Sequence, residues 1–272
     1  MSDNNQTDHN PPSEAGADPL VNFGHERVAA SRKPQLVGSV FDRVAARYDM
    51  MNDFMSLGSH RLFKRMLVQM CGIRAGDHFL DLAGGTGDIT NLVAPMVGPA
   101  GQITLVDPNR EMIQVGRDRL LDNGLANVSW CRAFGETLPF AEDTFDAACI
   151  SFGLRNFTDK DQALRDLLRV LKPGKALVVL EFSKPQNSAL ANAYKLFQSV
   201  WPSAGQVLVG DSDPYRYLVE SIEVHPGQKA LKQMFEDAGF EQTSYHNLVG
   251  GVAAIHRGVK PLNTEHSATS NL

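Results

Sequence analysis

From residue 77 onward the chain switches between short apolar runs and longer stretches whose apolar residues recur every three or four positions. The runs "DHFLDLA" (77–83), "GQITLVD" (101–107), "NVSWCRA" (127–133), "FDAACIS" (145–151) and "KALVVLEFS" (175–183) read as strands. Near-continuous apolar residues suit a strand covered on both faces, as in a parallel sheet. Between them, "DITNLVAPMV" (88–97), "REMIQVGRDRLLDN" (110–123) and "KDQALRDLLRVL" (160–171) have helical spacing. The second of these is expected to bury Met112, Val115, Leu120 and Leu121 on one face, and the third is stopped by Pro173 and Gly174. The alternation predicts an α/β fold, a doubly wound, seven-stranded, mostly parallel sheet of Rossmann-like type. A last helix, "QKALKQMFEDAGF" (228–240), leads into "EQTSYHNLV" and "GVAAIHRGV", an expected closing antiparallel hairpin.

Outside this pattern, residues 1–37 are polar, carry prolines and have few large apolar groups, so a disordered N-terminal tail is expected there. The pattern then predicts one domain over 38–260: a segment before the first strand (38–76), the strand-and-helix core (77–183), an irregular and helical section (184–226) and the closing helix and hairpin (227–260). Residues 261–272 read as a second loose tail. With 272 residues, 43% of them hydrophobic, the chain can bury a full core. A net charge of -5 with scattered Lys and Arg makes nucleic acid a poor partner. Cys71, Cys131 and Cys149 lack metal-ligand spacing, so no metal site is expected. The N-terminal stretch has no apolar signal core, and no apolar run reaches the length of a membrane span. A cytoplasmic location is expected.

In such sheets, ligands bind outside the carboxyl ends of the strands, where strand order reverses. Two strand ends carry candidate chemistry. "DLAGGTGD" (81–88) is a glycine-rich strand-to-helix loop, but a P-loop would need Lys after Gly87, where Asp88 stands. The dinucleotide pattern GxGxxG fails at Thr90, which disfavours a nicotinamide cofactor. Asp107, at the end of the next strand, can accept hydrogen bonds from both hydroxyls of a ribose, or can serve as a helix N-terminal carboxylate. An acidic residue before the loop, Asp81, and another after the second strand describe a nucleoside site without phosphate contacts; S-adenosylmethionine is such a ligand. The other strand end is "ISFGLRNFTDKD" (150–161), where a buried strand halts on Arg155 and Asn156. These read either as a surface loop and cap or as residues delivered to a reaction site.

Several long stretches go beyond the general fold. "YDMMNDFMSLGSHRLFKR" (48–65), "DLAGGTGDIT" (81–90), "TLPFAEDTFDAACISFGLRNFTDKDQALRDLLRVLKPG" (137–174), "LEFSKP" (180–185), "YRYLVESIEVHP" (215–226) and "GGVAAIHRGVKP" (250–261) resemble, in order, the ubiquinone/menaquinone biosynthesis C-methyltransferase family. The resemblance covers roughly residues 37–261. It implies a class I methyltransferase acting on the ring carbon of a polyprenylated benzoquinol (2-polyprenyl-6-methoxy-1,4-benzoquinol), a demethylmenaquinol, or both, with S-adenosylmethionine as cofactor. Carried over by position, it implies cofactor contacts from Thr86, Asp107, Phe134, Gly135 and Ser151, with the loop glycines Gly84 and Gly85 beneath the methionine portion and Asp81 counted with them as the acidic residue before the loop; it also implies that 38–76 form a helical cap, 77–183 the cofactor-binding core and 184–226 a lid or substrate segment. This sequence departs from the family at Phe63 (usually Trp), Lys175 (usually Gly) and Phe134 (usually Asn). At Phe134, contact with adenine is expected from ring packing and backbone groups instead.

The chemistry the resemblance implies needs an ionised hydroxyl beside the attacking carbon. A free phenol titrates near about 10, and a close positive charge lowers that by about 1–3 units. Arg155 is the expected source of that charge, holding the phenolate or a water in preference to abstracting a proton. Asn156 would orient the water or the second hydroxyl, and Tyr48 would complete the relay. Asp49, Asn52 and His60 are further candidates for shaping the pocket. Leu190, Tyr194, Phe197 and Trp201 stand at helical spacing and read as a core stripe; Phe197 and Trp201 are also the candidates for touching lipid or a prenyl tail. Expected partners are the quinol, transient contact with the inner face of the membrane, and a quinone-biosynthesis complex; a homodimer stays open. The competing readings are a class I methyltransferase for another small molecule and a nonenzymatic prenylquinol-binding protein. Asp107, Thr86, Arg155 and Asn156 occurring together weigh against the second.

Overall fold

A computed structural model describes residues 18–45, 53, 55–56, 58–125 and 127–262. Its centre is a seven-stranded sheet in the order β5-β4-β3-β6-β7-β9-β8. The strands are β3 (His78–Leu82), β4 (Gln102–Val106), β5 (Val128–Cys131), β6 (Ala147–Ser151), β7 (Ala176–Phe182), β8 (Glu241–Leu248) and β9 (Ala253–Val259). β3 to β7 are mutually parallel where they pair, whereas β9 runs antiparallel to both β7 and β8. The chain moves from β3 through β4 to β5 on one side, then returns to lay β6 against the other edge of β3. Strand order therefore reverses at β3, and Leu82 pairs with Val106 on one side and Ile150 on the other.

Successive strand residues point to opposite faces, and this divides the core into two layers. Phe79, Cys149, Val178 and Leu180 face one layer, with Leu67 and Val68 of α2 (His60–Met70) and Val93 and Val97 of α3 (Asp88–Val97). Leu80, Ile150, Leu177 and Val179 face the other, with Leu164 and Leu167 of α5 (Lys160–Val170) and Leu231 and Phe235 of α9 (Gln228–Asp237). Each fully buried side chain of this size stabilises the fold by about 1.5–3 kcal/mol. On α4 (Arg110–Asp122) the buried stripe is Met112, Gly116 and Leu120. Val115 and Leu121, expected inward, are exposed, because Gly116 is the residue that faces the glycine loop.

The expected disorder of residues 1–37 does not hold for 18–37. β1 (Leu20–Phe23) and β2 (Glu26–Ala29) form a hairpin around Gly24, whose φ of 58° suits a tight primed turn. The hairpin is held from outside: Phe23 stacks on Tyr217 with centroids 4.5 Å apart, and His25 meets Glu223 at 2.8 Å. α1 (Lys33–Val44) follows, so the domain begins before residue 38. Residues 1–17 lie outside the described residues, as do 263–272. The segment after β7 folds into α6 (Ser188–Ser199), α7 (Trp201–Val209) and α8 (Asp213–Val224). Trp201 is wholly buried, edge-on to Tyr194 and Phe197. The stripe is therefore core at Trp201, which is not available to lipid; among the described residues of this segment, Leu196, Val200 and Val224 are the exposed large apolar side chains. Among the described residues no helix is long and apolar enough to cross a membrane.

Candidate active site

At the carboxyl ends of β3 and β6 the two chains leave the sheet through matching left-handed residues, Ala83 and Phe152, each with φ of 56°. Such backbone is costly outside glycine and collects at functional sites. The exits touch: a Cβ on Gly153 would lie 2.5 Å from the Ala83 Cβ. Gly87 (φ 81°) starts α3, and a Cβ on Gly116 of α4 would lie 2.8 Å from the Gly85 carbonyl. The loop is thus pressed against α4 and fixed in shape. Beside it opens a crevice of about 690 Å³, lined by Gly85, Asp107, Phe134 and Gly135 on one side and by Phe152 and Asn156 on the other. α1 supplies a further wall through Pro34, Gly38 and Phe41. It is tied down by Asn109, which donates to Asp42 (2.7 Å), and by Lys33, which donates to the Phe157 carbonyl (2.8 Å). Burial lowers the Lys33 pKa to about 8, with Lys160 adding to the effect.

The residues expected at the cofactor gather here. Asp107 accepts from the Gly85 amide (3.0 Å) and the Asn109 amide (2.8 Å), one on each oxygen. A carboxylate has about four acceptor sites, so both oxygens can accept again. Burial pushes its pKa up to about 6 against those two bonds. Asp81 is buried too, and burial raises its pKa to about 6. Its Oδ2 accepts from the Thr90 amide (3.1 Å) and hydroxyl (2.7 Å). Thr90, which breaks the dinucleotide pattern in the sequence, thus holds the acidic residue in place. Gly84, Thr86 and Ser151 line a small adjoining recess, and the Ser151 hydroxyl is buried without a partner among the described residues. Phe134 leaves 48% of its surface exposed along the crevice. Gly135 is pinned beneath Phe157, where a Cβ would meet the ring at 2.4 Å.

The expected catalytic residues part company. Asn156 lines the crevice, and its Oδ1 accepts from the Tyr217 hydroxyl at 3.0 Å. Arg155 does not line it. Its guanidinium is buried, donates to Glu181 Oε1 at 2.9 Å and to the Phe152 carbonyl, and its amide donates to Glu181 Oε2 at 3.1 Å. Tyr48, Asp49 and Asn52 fall outside the described residues. His60 is buried at the start of α2 with Nδ1 2.8 Å from Ser56 Oγ; burial lowers its pKa.

Around Arg155 lies a cluster of buried polar side chains. Burial raises the pKa of Tyr194 and Tyr217, opposed in both by the Arg155 charge. Burial lowers the pKa of His225 well below its ordinary value, and the positive charges of Lys160 and Arg155 lower it further. Its imidazole is therefore neutral at pH 7, and among the described residues neither ring nitrogen has a partner. The Arg155 Nε and Tyr194 hydroxyl are also buried and unpartnered among those residues. Tyr217, His225 and Glu181 had no role assigned from sequence. All three lie inside the resembling stretches "YRYLVESIEVHP" and "LEFSKP", which was the available signal.

Residues 28–260 match the ubiE/COQ5 methyltransferase family. The chain belongs to this family. A ubiquinone/menaquinone biosynthesis C-methyltransferase from Pseudomonas paraeruginosa is 50% identical over 255 residues, 93% of this chain and 100% of the relative. One from Ectopseudomonas mendocina is 52% identical over 246 residues, 90% and 96% of the two chains. Among solved structures, a SAM-dependent methyltransferase from Aquifex aeolicus superposes with a TM-score of 0.54 at 18% identity, over 72% of this chain and 89% of that one. The [4+2]-cyclase SpnF superposes with a TM-score of 0.57 at 18% identity, over 84% and 96%. The fold is thus that of class I methyltransferases, and a cyclase shares it, so the reaction must be read from the site.

Proposed function

We infer that this family member is an S-adenosylmethionine-dependent C-methyltransferase for the ring carbon of a polyprenylated benzoquinol, a demethylmenaquinol, or both. The observation that carries the reading is that Asp107 and Asn156 line one crevice from opposite strand ends, the first suited to a ribose and the second to a quinol oxygen. The crevice fits the cofactor: Asp107 retains acceptor sites for the ribose, Phe134 offers a ring face to adenine, and the unpartnered Ser151 hydroxyl fits a polar ligand in the recess. When bound, S-adenosylmethionine supplies an electrophilic methyl on its sulfonium.

The chain's own task is to ionise and align the quinol. Because Asn156 Oδ1 is taken by Tyr217, the group it presents to the crevice is the Nδ2 donor. A hydrogen bond given to a phenolate oxygen favours the ionised form. His225 does not line the crevice, and burial with the neighbouring positive charges of Lys160 and Arg155 makes it a weak base, so the hydroxyl proton is given up to water. Arg155 acts as a positioning residue: paired with Glu181, it fixes the Phe152–Asn156 turn that presents the amide. Alignment of donor and acceptor can itself be worth ~7–11 kcal/mol. Among the described residues, Leu196 and Val200, adjoining in the helical segment, are apolar side chains available to a membrane surface.

The test is genetic and chemical. A deletion strain analysed by mass spectrometry is expected to accumulate a quinone lacking one ring methyl. The purified protein is expected to transfer a labelled methyl to the reduced quinol under anaerobic conditions. An unchanged quinone profile together with no transfer to either quinol class overturns the reading.

A further inference from the structure

We propose that the N-terminal segment positions Asn156 for methyl transfer, Lys33 holding the backbone that follows it and Phe23 the side chain that orients it; this rests on the role given to Asn156 above. Both residues fall in the stretch that the sequence marks as a loose tail. In the structure Lys33 is the first residue of α1 and only 3% exposed. That is an unfavourable place for an ammonium, because a helix N-terminus carries partial positive charge and burial strips water from the cation. Its hydrogen bond goes to a neutral acceptor, the Phe157 carbonyl at 2.8 Å, and the charge of Glu136 offsets burial and the repulsion of Lys160 only in part. Stability alone gives no reason to keep a cation there.

The acceptor explains the choice. Phe157 closes the single helical turn Leu154–Asn156, and its carbonyl also accepts from Lys160 at 3.3 Å. Across the same peptide, the Thr158 amide donates to Glu136 Oε1 at 2.8 Å. The peptide that follows Phe157 is thus held at both its polar ends, and the Phe157 ring is seated over Gly135. A second grip comes from the hairpin. Phe23 stacks on Tyr217 with centroids 4.5 Å apart and planes at 25°, and the Tyr217 hydroxyl donates to Asn156 Oδ1 at 3.0 Å. Phe23, Lys33 and Tyr217 do not line the crevice, whereas Asn156 does, so their contacts act on the crevice through that one side chain. The helix that walls the crevice through Pro34, Gly38 and Phe41 therefore also fixes the amide at its reacting end.

The test is a pair of double-mutant cycles on the full chain, read as anaerobic methyl transfer to the reduced quinol at saturating substrates. Lys33→Met should slow turnover about tenfold to hundredfold, the scale of one hydrogen bond from a charged donor. Its melting temperature should change little, since a buried cation is exchanged for an apolar side chain of similar length. Affinity for S-adenosylhomocysteine should change less than turnover, because Asn109 still ties α1 down through Asp42. Lys33→Arg should recover part of the rate. Phe23→Leu, on the half-buried hairpin, should slow turnover about twofold to tenfold, and Phe23→Tyr should restore it. In an Asn156→Ala background Lys33→Met should add little further loss, and in a Tyr217→Phe background Phe23→Leu should add little. The second cycle starts from an active protein, so it decides even where Asn156→Ala is too slow to measure or Lys33→Met does not fold. Losses of the same factor with and without the background change overturn the proposal, as do wild-type rates for both single variants. If Asn156→Ala itself turns over like wild type, the role of Asn156 falls and this proposal with it. If wild type transfers no methyl to either quinol class, the functional reading fails first.

Discussion

The crevice at the ends of β3 and β4 and the buried polar cluster at the ends of β6 and β7 are built by opposite means. The crevice is open, shaped by glycines and left-handed backbone, and its key carboxylate is held by amides from its own neighbourhood, Gly85 and Asn109. The cluster is buried, made of long side chains from separate elements, and organised around one buried ion pair, Arg155 with Glu181. A preformed, backbone-lined site can receive a cofactor whose shape never varies. A buried polar cluster in which His225, Tyr194 and Arg155 atoms have no partner among the described residues depends instead on side chains held from separate elements. The difference teaches that damage to the first should appear as lost affinity, and damage to the second as lost stability or turnover.

The largest expected effect comes from splitting the buried pair. Glu181→Ala leaves the Arg155 guanidinium buried without its counter-charge, which costs about 3–5 kcal/mol of stability, read as a lower melting temperature. Replacing both residues by Met should restore most of that stability, since a buried pair exchanged for apolar groups is often neutral. Turnover should stay depressed in the double variant with cofactor affinity intact. Recovery of turnover along with stability would reduce the pair to a structural element.

Asp107→Ala comes next and should act on the crevice alone. If Asp107 holds the ribose as proposed, the variant should lose hydrogen bonds worth about 1.5–3 kcal/mol each, hence roughly tenfold or more in S-adenosylhomocysteine affinity by calorimetry. Unchanged affinity in a folded variant would remove Asp107 from the site.

A pH series sharpens the same contrast. Burial raises the Asp107 and Asp81 pKa values to about 6, above the 3.8 of an unperturbed Asp. As pH falls from about 6 toward 4, the folded protein takes up these protons before the unfolded chain does, so these two groups add stability. Over the same window cofactor affinity should decline, because a protonated Asp107 is a poorer acceptor. Affinity and unliganded stability are thus expected to move in opposite directions, and Asp107→Asn should flatten part of the affinity profile. Parallel movement of the two curves would contradict the assignment.

The smallest effect is expected from Tyr217→Phe. It removes one hydrogen bond to Asn156, worth about 0.5–1.5 kcal/mol, and should lower turnover several-fold without touching cofactor affinity. A wild-type rate would leave Asn156 oriented by other contacts.

Much of the crevice was legible in the sequence because its parts are local. The glycine loop, Asp81 and Asp107 sit at strand ends that the apolar pattern already marks, and the structure brings Thr86, Phe134, Gly135 and Ser151 to the same place or to the adjoining recess. The N-terminal hairpin was missed because its two four-residue strands bury little by themselves and are held by Tyr217, Glu220 and Glu223 of α8, roughly two hundred residues away. Trp201 was assigned two readings by spacing alone, and only packing against Tyr194 and Phe197 chose between them.

What the sequence by itself determined is the alternation of strands and helices, the antiparallel closing pair, the glycine turn and the reaching of Asn156 to a strand end. Each follows from side-chain period or backbone freedom within a few neighbouring residues. The tertiary structure alone decided the partners of the long charged and polar side chains around the site. Glu181 is 26 residues from Arg155, Tyr217 is 61 from Asn156, and Asp88 is 24 from Lys64. Such side chains can reach several Å in many rotamers, so their period fixes which face they leave from and not what they meet. Burial then forces each one to find a partner, and the choice depends on which strand end or helix the fold has placed within reach.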